Sequence, residues 1–488
     1  MSKVTELHKY PAVQLRAMLQ NREIRPTELV EHYLRRIEAL NPKLHALTTL
    51  TGDMALWRAG ELEAAGAVPD RFEQPIWGLP FADKDLDDRE GVRSTYGSVA
   101  MTGYVAQSSS PVVQDMDRAG GISLGKTNVP EFGSPCYAVN KLPEGYARNP
   151  WDPSLDPGGS SSGAAVAVSA RMLPFAPGND AGGSIRIPAS ATGLVGLKPS
   201  RGRVPGLPGS GSLAGLPTAG PIGRTVDDVA LLLDGMLKGP QRYAVRAPQP
   251  PYMSENGSFL DAANLPIPRL RIGWNTWSPW NEEYDIVVDS QVMRVFQETL
   301  DLLKNLGHRV EEVEPTPAPG YVQAFRSVWM GSAASAPLPD EALEVVEPLT
   351  AWLIRSGRER PASDLPAGLT RLAEFESQII SDYSDFDAVL TPGLAMTPRA
   401  SDWYDQVDGN LNFVQQCQYT PFTSYLNVAG LPAIALPVGQ GTSEVTGASV
   451  PIGVQAIGRP GDEATLLRLG KQLEEVLSWS ERVPGIAK

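Results

Sequence analysis

Three short segments of the sequence contain residue types whose chemistry fits together. The first is the apolar run IWGLPFADKD, which begins at Ile76 and contains Lys84. A lysine at a solvated strand edge stays charged, whereas burial lowers its pKa of about 10.4 by several units and makes it a usable base. The other two segments are rich in glycine and serine: PGGSSSGAAVAVSA from Pro157 and GNDAGGSIRIPAS from Gly178.

The segment from Gly178 has the pattern of an anion-binding loop that ends in a nucleophile. Its glycines let backbone amides approach a substrate closely, and consecutive free N–H groups ahead of a serine form a nest for an oxyanion. Ser184 follows Gly182 and Gly183 and stands where a nucleophile would. The segment therefore indicates nucleophilic catalysis.

Two other kinds of site are disfavoured. The four histidines all lie far in sequence from the three segments, which argues against a Ser/His/Asp triad or a histidine-rich zinc site. They are His8, His32, His45 and His308. The run GGISLGKT from Gly120 to Thr127 matches the P-loop pattern. A P-loop needs a helix directly after it, whereas here a helix precedes the run, ISLGKT is typical of a strand, and Pro130 interrupts any following helix.

The composition is that of a globular chain with a sizeable core: 42% of the 488 residues are hydrophobic and 20% are charged. The formal net charge of -14 disfavours nucleic acid and anionic membranes as partners. The sequence begins without the apolar region of a secretory signal, and only Cys136 and Cys417 are present. We therefore expect a cytoplasmic protein whose partner is a small molecule.

The elements that must position the three segments alternate between helices and strands. Two helices are predicted between residues 11 and 41, and a strand–helix–strand unit over residues 269–315. Residues 316–386 are mostly helical, and strand patterns return in DAVLTP, PAIALPV and IGVQAIG before a final helix. This alternation predicts an α/β protein with a large mixed sheet.

The motifs, taken in order, resemble those of the amidase signature family. Lys84 in GLPFADKD is followed by GKTNVPEFG, NPWDPSLDPGGSSSGAAVA and GNDAGGSIRIPASATGLVGLKPSRGRVP, and the similarity continues to PIGVQAIGRPGDEATLLRLGKQLE. The resemblance implies the amidase signature fold, a large twisted mixed β-sheet covered on both faces by α-helices, as one domain over 1–488. Within it we expect N-terminal helices (1–75), the signature core (76–236), a variable substrate-shaping region (237–400) and the C-terminal part of the core (401–488).

The resemblance also implies a Ser/cis-Ser/Lys triad. Ser184 matches the nucleophile and Lys84 the base. Ser160, Ser161 and Ser162 are candidates for the bridging serine, and only Ser160 keeps the family's spacing of 24 residues to the nucleophile.

The resemblance assigns supporting residues in addition to the triad. The family's cis peptide bond falls between Gly159 and Ser160. The oxyanion hole falls on the amides of Ala181, Gly182, Gly183 and Ser184, and the supporting positions on Gly159, Ser161, Asp180 and Arg186. The implied chemistry needs no metal or organic cofactor.

Three positions depart from the family pattern. Asp83 stands where an apolar residue is more common, Asn179 replaces a threonine, and Ser162 replaces a glycine. Alternation along a strand sends Asp83 and Asp85 to the face opposite Lys84. We therefore expect the triad to be kept, and the resemblance leaves open how these three residues tune Lys84.

The function implied is that of a serine hydrolase that cleaves the C–N bond of amides through an acyl-enzyme. The GND loop and TPFTSYLNVAGLPAIALP are more similar to 6-aminohexanoate cyclic-dimer hydrolases and aryl acylamidases than to glutamyl-tRNA amidotransferase A subunits, which act in a complex and stay the alternative. Aryl or acyl amides, nylon-type oligomers and carbamates are reachable substrates, and the enzyme is expected to be a monomer or homodimer. The residues expected in the pocket are Gly133, Ser134, Tyr137, Trp329, Met330 and Phe422, and for the last four a core role is the alternative.

Overall fold

The chain folds around an eight-stranded mixed β-sheet and a separate three-stranded sheet. We describe it in a computed structural model, which covers residues 6–205, 214–239 and 257–488. The strands are β1 Leu47–Leu50, β2 Pro80–Lys84, β3 Ile122–Thr127, β4 Phe175–Asp180, β5 Val195–Lys198, β6 Thr218–Gly223, β7 Arg271–Trp274, β8 Arg309–Glu312, β9 Ala388–Pro392, β10 Ala433–Thr442 and β11 Ser449–Gly458.

The large sheet has the strand order β4-β6-β5-β10-β11-β9-β7-β8, in which β7 runs parallel to β8 and β9 and the remaining neighbours are antiparallel. The prediction of a large mixed sheet in an α/β protein is therefore confirmed. The small sheet has the order β1-β3-β2, with β2 parallel to β3. The pattern of residues contained no sign that β2, the strand of Lys84, belongs to a second sheet.

Helices surround both sheets. They are α1 Ala12–Gln20, α2 Pro26–Leu44, α3 Gly52–Ala64, α4 Pro111–Arg118, α5 Ser162–Ser169, α6 Arg186–Thr192, α7 Val226–Met236, α8 Phe259–Ala263, α9 Ser290–Asn305, α10 Tyr321–Ala334, α11 Pro348–Glu359, α12 Asp364–Tyr383, α13 Gly409–Tyr419, α14 Ser424–Val428 and α15 Glu463–Leu477. In the part of the chain that the structure describes, no helix combines the length and the apolar character needed to cross a bilayer.

The large sheet is covered by helices on both faces. Leu436 of β10 packs against Gly470 of α15. Its neighbour Ala435 pairs with Gly196 of β5, and Gly196 packs against Ala189 of α6. Because successive side chains of a strand point to opposite faces, α15 and α6 lie on opposite sides of the sheet.

The local predictions agree with the observed elements. The two N-terminal helices are α1 and α2, and the strand–helix–strand unit is β7, α9 and β8, with its strands parallel. The P-loop match lies on β3, which continues through Thr127, and the next helical turn begins only at Glu131. Lys126 of this match is buried with its Nζ 3.9 Å from a carboxylate oxygen of Asp85, so it is directed at an internal acid.

Candidate active site

Lys84 ends β2 and its side chain is completely buried. Its Nζ lies 2.9 Å from Ser160 Oγ, 2.6 Å from Asn179 Oδ1 and 3.1 Å from Asn179 O. All three acceptors are neutral. Burial lowers the pKa of Lys84 to about 7, although the nearby carboxylates of Asp87 and Asp180 act in the opposite direction. Burial therefore favours the neutral amine at this position.

The glycine-rich stretch brings Ser160 to Lys84. The Gly159–Ser160 peptide bond is cis, as the resemblance implied. A side chain at Gly159 would lie 2.5 Å from Tyr137 O, so the close approach of the two backbones requires glycine. The Gly159 N–H donates to Cys136 O over 2.6 Å. These contacts fix the turn that carries Ser160.

The two serines after Ser160 have other hydrogen-bond partners. Ser161 Oγ donates to Asn179 O and Ser162 Oγ donates to Asn128 O, each over 3.3 Å. Ser162 also begins α5, in which every residue is buried. The abrupt change from glycine and serine to AAVAVS is therefore the start of an interior helix. Of these three described serines, only Ser160 is hydrogen-bonded to Lys84.

Ser184 lies in the loop between β4 and α6, and its side chain is half-buried. The loop is joined to the glycine-rich stretch because Ser161 N donates to Ser184 O over 3.1 Å. Gly183 has a φ of +134°, and a side chain there would clash with Thr423 Oγ1. The second glycine of GGS is thus required by the shape of the loop that presents Ser184.

A buried ion pair braces this loop. Arg186 Nη2 donates to Asp180 Oδ1 and its Nε donates to Asp180 Oδ2, each over 2.9 Å. Burial opposes ionisation of Asp180, but the guanidinium overrides it and lowers the pKa of that carboxyl to about 2. Arg186 Nη1 and Nη2 also donate to Thr423 O, Gln455 Oε1 and Asn427 Oδ1. The loop is therefore tied to the large sheet and to α14.

Asp180 also holds the backbone of the loop. Its Oδ1 accepts from the Gly183 N–H over 2.7 Å and its Oδ2 accepts from the Ile185 N–H over 3.2 Å. The Gly183 amide, one of the four expected oxyanion donors, is thus already engaged by a carboxylate. The amides of Ala181, Gly182 and Ser184 have no acceptor among the described residues.

The two acids that flank Lys84 in sequence point away from it, as predicted. Asp83 accepts from Arg89 Nε over 2.7 Å and from Ser123 Oγ over 2.8 Å. Asp85 accepts from Thr95 Oγ1 over 2.5 Å. The face opposite Lys84 therefore has its own polar network.

Sequence reasoning missed Asp87, the charged residue with the largest influence on the pKa of Lys84. Asp87 is buried, and its Oδ2 lies 3.5 Å from Asn179 Nδ2. Burial raises the pKa of Asp87 to about 6, against the influence of Lys126 and Lys84. Asn179, the departure from threonine, thus lies between this acid and the amine. The motif contained no signal for it, because Asp87 lies beyond the end of β2, where strand alternation no longer predicts the direction of a side chain.

Ser184 lies on the walls of two cavities, one of about 380 Å³ and one of about 60 Å³. The larger cavity is lined by Leu86, Tyr96, Phe132, Gly133, Ser134, Ser160, Asn179, Ala181, Ser184, Leu216, Pro217, Val328, Trp329, Ser332, Ala333, Ser335 and Ala336. The smaller is lined by Ser134, Pro135, Cys136, Gly182, Ser184, Ile187, Trp280, Phe325, Trp329, Phe413, Gln416, Cys417, Thr420 and Ser424.

Half of the residues predicted to form the pocket lie on these walls. Gly133, Ser134 and Trp329 do. The other three pack in the interior, so the alternative of a core role applies to them. They are Tyr137, stacked on Tyr404 at 4.3 Å, Met330, which is 2% exposed, and Phe422, which is fully buried.

The pocket prediction also missed a helix face. Phe413, Gln416 and Cys417 line the smaller cavity and follow the spacing i, i+3, i+4 of one face of α13, and Thr420, directly after the helix, lines it as well. That spacing was readable in the sequence, but nothing in it distinguishes a cavity-facing stripe from a core-facing one.

Comparisons with known proteins match nearly the full length of the chain. A family model described as Amidase matches residues 28–467. A relative from Mycobacterium tuberculosis named Putative amidase AmiB2 is 36% identical over 477 residues, which is 96% of both chains. The A-type subunit of a glutamyl-tRNA(Gln) amidotransferase from Psychrobacter cryohalolentis is 31% identical over 489 residues, which is 95% of both chains.

Solved structures give the same result. A 6-aminohexanoate cyclic dimer hydrolase complexed with substrate is similar with a TM-score of 0.86 and 28% identity, over 99% of this chain and 100% of that one. A bacterial aryl acylamidase has a TM-score of 0.83 at 24% identity, over 99% of each chain, and shows the likeness of fold. The resemblance drawn from the motifs is therefore confirmed.

Proposed function

This chain belongs to the amidase family and hydrolyses amide C–N bonds, and we propose that it does so through an acyl-enzyme formed on Ser184, with Ser160 and Lys84 as the proton relay. One observation carries the proposal. The buried Lys84 Nζ lies 2.9 Å from Ser160 Oγ, and Ser160 and Ser184 share the wall of the larger cavity. A lysine whose pKa is lowered to about 7 supplies the neutral base that such a relay requires.

In the first step Ser184 Oγ attacks the carbonyl carbon of the amide. Ser160 Oγ takes the proton from Ser184 Oγ and gives its own proton to Lys84 Nζ. A C–O bond forms, the carbonyl π pair moves to oxygen, and Lys84 becomes an ammonium ion. The carbonyl and side-chain oxygens of Asn179 and the carboxylate of Asp87 favour that charged form.

The tetrahedral oxyanion is assigned to backbone amides of the nucleophile loop. Because the Gly183 N–H donates to Asp180, the assignment falls on the amides of Ala181, Gly182 and Ser184. One essential donor of this type contributes roughly 3 to 4 kcal/mol to the transition state. Asp180 then serves as the brace that keeps these amides in place, with Arg186 fixing Asp180.

The relay runs in reverse to release the amine. The C–N bond breaks, Ser160 Oγ gives its proton to the leaving nitrogen, and Lys84 returns the proton to Ser160. Water then attacks the ester on Ser184 with the same relay as base, which frees the acid and restores the enzyme. The proposed substrates are small uncharged amides, including aryl and acyl amides. Nylon-type oligomers and carbamates have carbonyls that accept the same attack.

The similarity to the amidotransferase chain supports a second candidate, in which the protein works only with a partner. The test is hydrolysis of a chromogenic anilide by the purified chain alone. We expect turnover and labelling by a fluorophosphonate at one serine, with both lost in Ser184→Ala. An inactive single chain that is nevertheless labelled at Ser184 would favour the second candidate. Anilide hydrolysis unchanged in Ser184→Ala would contradict the proposed nucleophile.

A further inference from the structure

The two cavities at Ser184 differ in their access to the proton relay. Trp329, Ser134 and Ser184 line both of them, so Trp329 stands as the partition. Among the described residues, Ser160 and Asn179 belong to the wall of the larger cavity only. The Ser184 side chain thus has the relay on one side and a small chamber on the other.

This asymmetry orients the substrate. Ser160 must reach the leaving nitrogen to protonate it, so the amine half of the amide lies on the side of the larger cavity. The acyl substituent is attached to the same carbon and extends away from the nitrogen. It therefore enters the smaller cavity, whose wall includes Gly182, one of the assigned oxyanion donors.

The smaller cavity has much less room than the larger one. Its volume is about 60 Å³, against about 380 Å³ for the larger cavity. The acyl side of the site therefore suits the smaller of the two groups that the amide joins.

That wall is rigid because its aromatic rings interlock. The ring centroid of Trp280 lies 5.2 Å from that of Phe325 and 5.9 Å from that of Phe413, and Phe325 stacks on Trp329 at 5.5 Å. Trp280 is 2% exposed, and its Nε1 donates to Ser424 Oγ over 3.1 Å. Forcing extra methylene groups into such packing is unfavourable.

The Gln416 side chain of this wall already has partners. Its Oε1 accepts from Cys136 N over 2.9 Å, and its Nε2 donates to Asn412 Oδ1 over 2.7 Å. The described residues lining this cavity include no Asp, Glu, Lys, Arg or His. A charged acyl group would therefore be buried without a charged partner there.

The larger cavity has a different capacity. At about 380 Å³ it lies in the size range of sites for whole small molecules. Its apolar walls include Tyr96, Phe132 and Val328, and the described residues that line it carry no charged side chain. It fits a bulky, uncharged aromatic or alicyclic amine.

We infer that the enzyme is selective for amides that join a short, uncharged acyl group to a bulky, uncharged amine, with the acyl group held by the α13 face and Trp280. This inference rests on the proposed function, since the orientation follows from the role of Ser160. It adds the residues that set acyl length, namely Phe413 and Cys417 of α13 together with Trp280 and Phe325.

The test is a series of 4-nitroanilides with acetyl, propionyl, butyryl, hexanoyl and benzoyl groups. We expect kcat/KM to fall at least tenfold between propionyl and hexanoyl. Phe413→Leu lengthens the chamber, so it should raise the hexanoyl-to-acetyl ratio at least fivefold. Cys417→Ala, a smaller change, keeps the test available where Phe413→Leu does not fold, and it should raise the ratio at least twofold.

The matched control is Ala333→Leu on the wall of the larger cavity. It should lower the rate with a naphthylamide relative to the 4-nitroanilide and leave the hexanoyl-to-acetyl ratio unchanged. The inference is overturned when hexanoyl anilides react as well as acetyl anilides, or when Ala333→Leu and not Phe413→Leu alters the acyl ratio.

Fluorophosphonate labelling of Ser184 in the same samples separates the two proposals. A labelled enzyme with the wrong acyl order sinks the inference alone, whereas an unlabelled enzyme inert towards every anilide sinks both.

Discussion

The two sides of Ser184 are constructed in different ways. On the catalytic side, Lys84 and Ser160 sit at the end of a strand and in a tight turn held by hydrogen bonds to side-chain and backbone groups. On the opposite side, α10, α13 and the short helical turn that contains Trp280 supply rings that pack against one another, and the only hydrogen bond described for these rings joins Trp280 to Ser424. Directional bonds fix reacting atoms within tenths of an ångström, whereas packing fixes volume. The comparison predicts that substitutions on the first side change rates and pH dependence, and those on the second change which substrate fits.

The largest effect is expected at Lys84. Lys84→Met removes the base and should lower kcat by roughly 10³- to 10⁴-fold with any amide. The measurement is nitroaniline release at pH 8 with acetyl and butyryl anilides, where both rates should fall equally. Lys84→Arg keeps a positive charge that cannot be lost near neutral pH, so it should be as inactive. A Lys84→Arg enzyme with near-normal turnover would contradict the role of the amine as base.

The second-largest effect is expected at Arg186, which braces the nucleophile loop through Asp180. Arg186→Met leaves Asp180 buried without its guanidinium, so the free energy of unfolding should drop by about 3 to 5 kcal/mol. The oxyanion amides lose their anchor, and kcat should fall by roughly 100-fold. Urea unfolding and steady-state kinetics on the same preparation measure the two effects.

Leu303→Ala is the control for the brace. Leu303 is fully buried in α9, and its truncation costs about 2 to 5 kcal/mol of stability. It should leave kcat nearly unchanged, because α9 is remote from the loop. If both variants lose activity in proportion to their stability, Arg186 has no special part in holding the site.

The segments of the catalytic side could be recognised in the sequence because each is a short continuous motif, and the resemblance to the amidase signature family implied the cis peptide bond between Gly159 and Ser160 that the structure contains. The contacts that require Gly159 and Gly183 could not be predicted, because Tyr137 O and Thr423 Oγ1 lie far from them along the chain. The engaged amide of Gly183 was missed, because the same four-amide pattern does not show which N–H the carboxylate of Asp180 takes.

The opposite side could not be predicted, because it depends on how helices are rotated about their axes. Met330 and Trp329 are neighbours on α10, yet one packs in the interior and the other divides the two cavities. Tyr137 and Phe422 have the composition of cavity residues and lie in the core. An apolar stripe in the sequence predicts that a helix face is buried. It does not show whether that face packs against other side chains or against a substrate.

The third effect is a shift of pH dependence. Lys84 must be neutral to act, so kcat/KM should rise with pH through about 7, the pKa of Lys84. The Asp87 carboxylate favours the ammonium and raises that pKa, so Asp87→Asn should move the rising limb to lower pH by about one unit. The rate at pH 6 should then increase roughly fivefold. The other charged groups that act on Asp87 are Lys126, Asp83 and Asp88.

The control for this shift is Asp88→Asn, since Asp88 is the adjacent acid and is only half-buried. Its charge is screened by solvent, so the limb should move by much less than in Asp87→Asn. Full pH profiles of kcat/KM on an acetyl anilide decide the question. A rising limb that stays at the same pH in Asp87→Asn, or that shifts to higher pH, would contradict the influence of Asp87 on the pKa of Lys84.

The smallest effect is expected at the partition, where the two sides meet. Trp329→Leu removes ring surface from both cavities and the stacking on Phe325, so KM for a bulky anilide should rise several-fold, a change of about 1 kcal/mol. The pH at half-maximal kcat/KM should stay at the wild-type value, because Lys84 Nζ is hydrogen-bonded to Ser160 and Asn179 and, among the described residues, no hydrogen bond joins Trp329 to any of the three. Steady-state kinetics from pH 5 to 9 measure both quantities.

A change in KM with no shift in the rising limb of the pH profile means that cavity volume and proton transfer are set independently. A rising limb that shifts in pH in Trp329→Leu would mean that the packed side also influences the pKa of Lys84. That result would contradict separate control of substrate fit and proton transfer by the two sides.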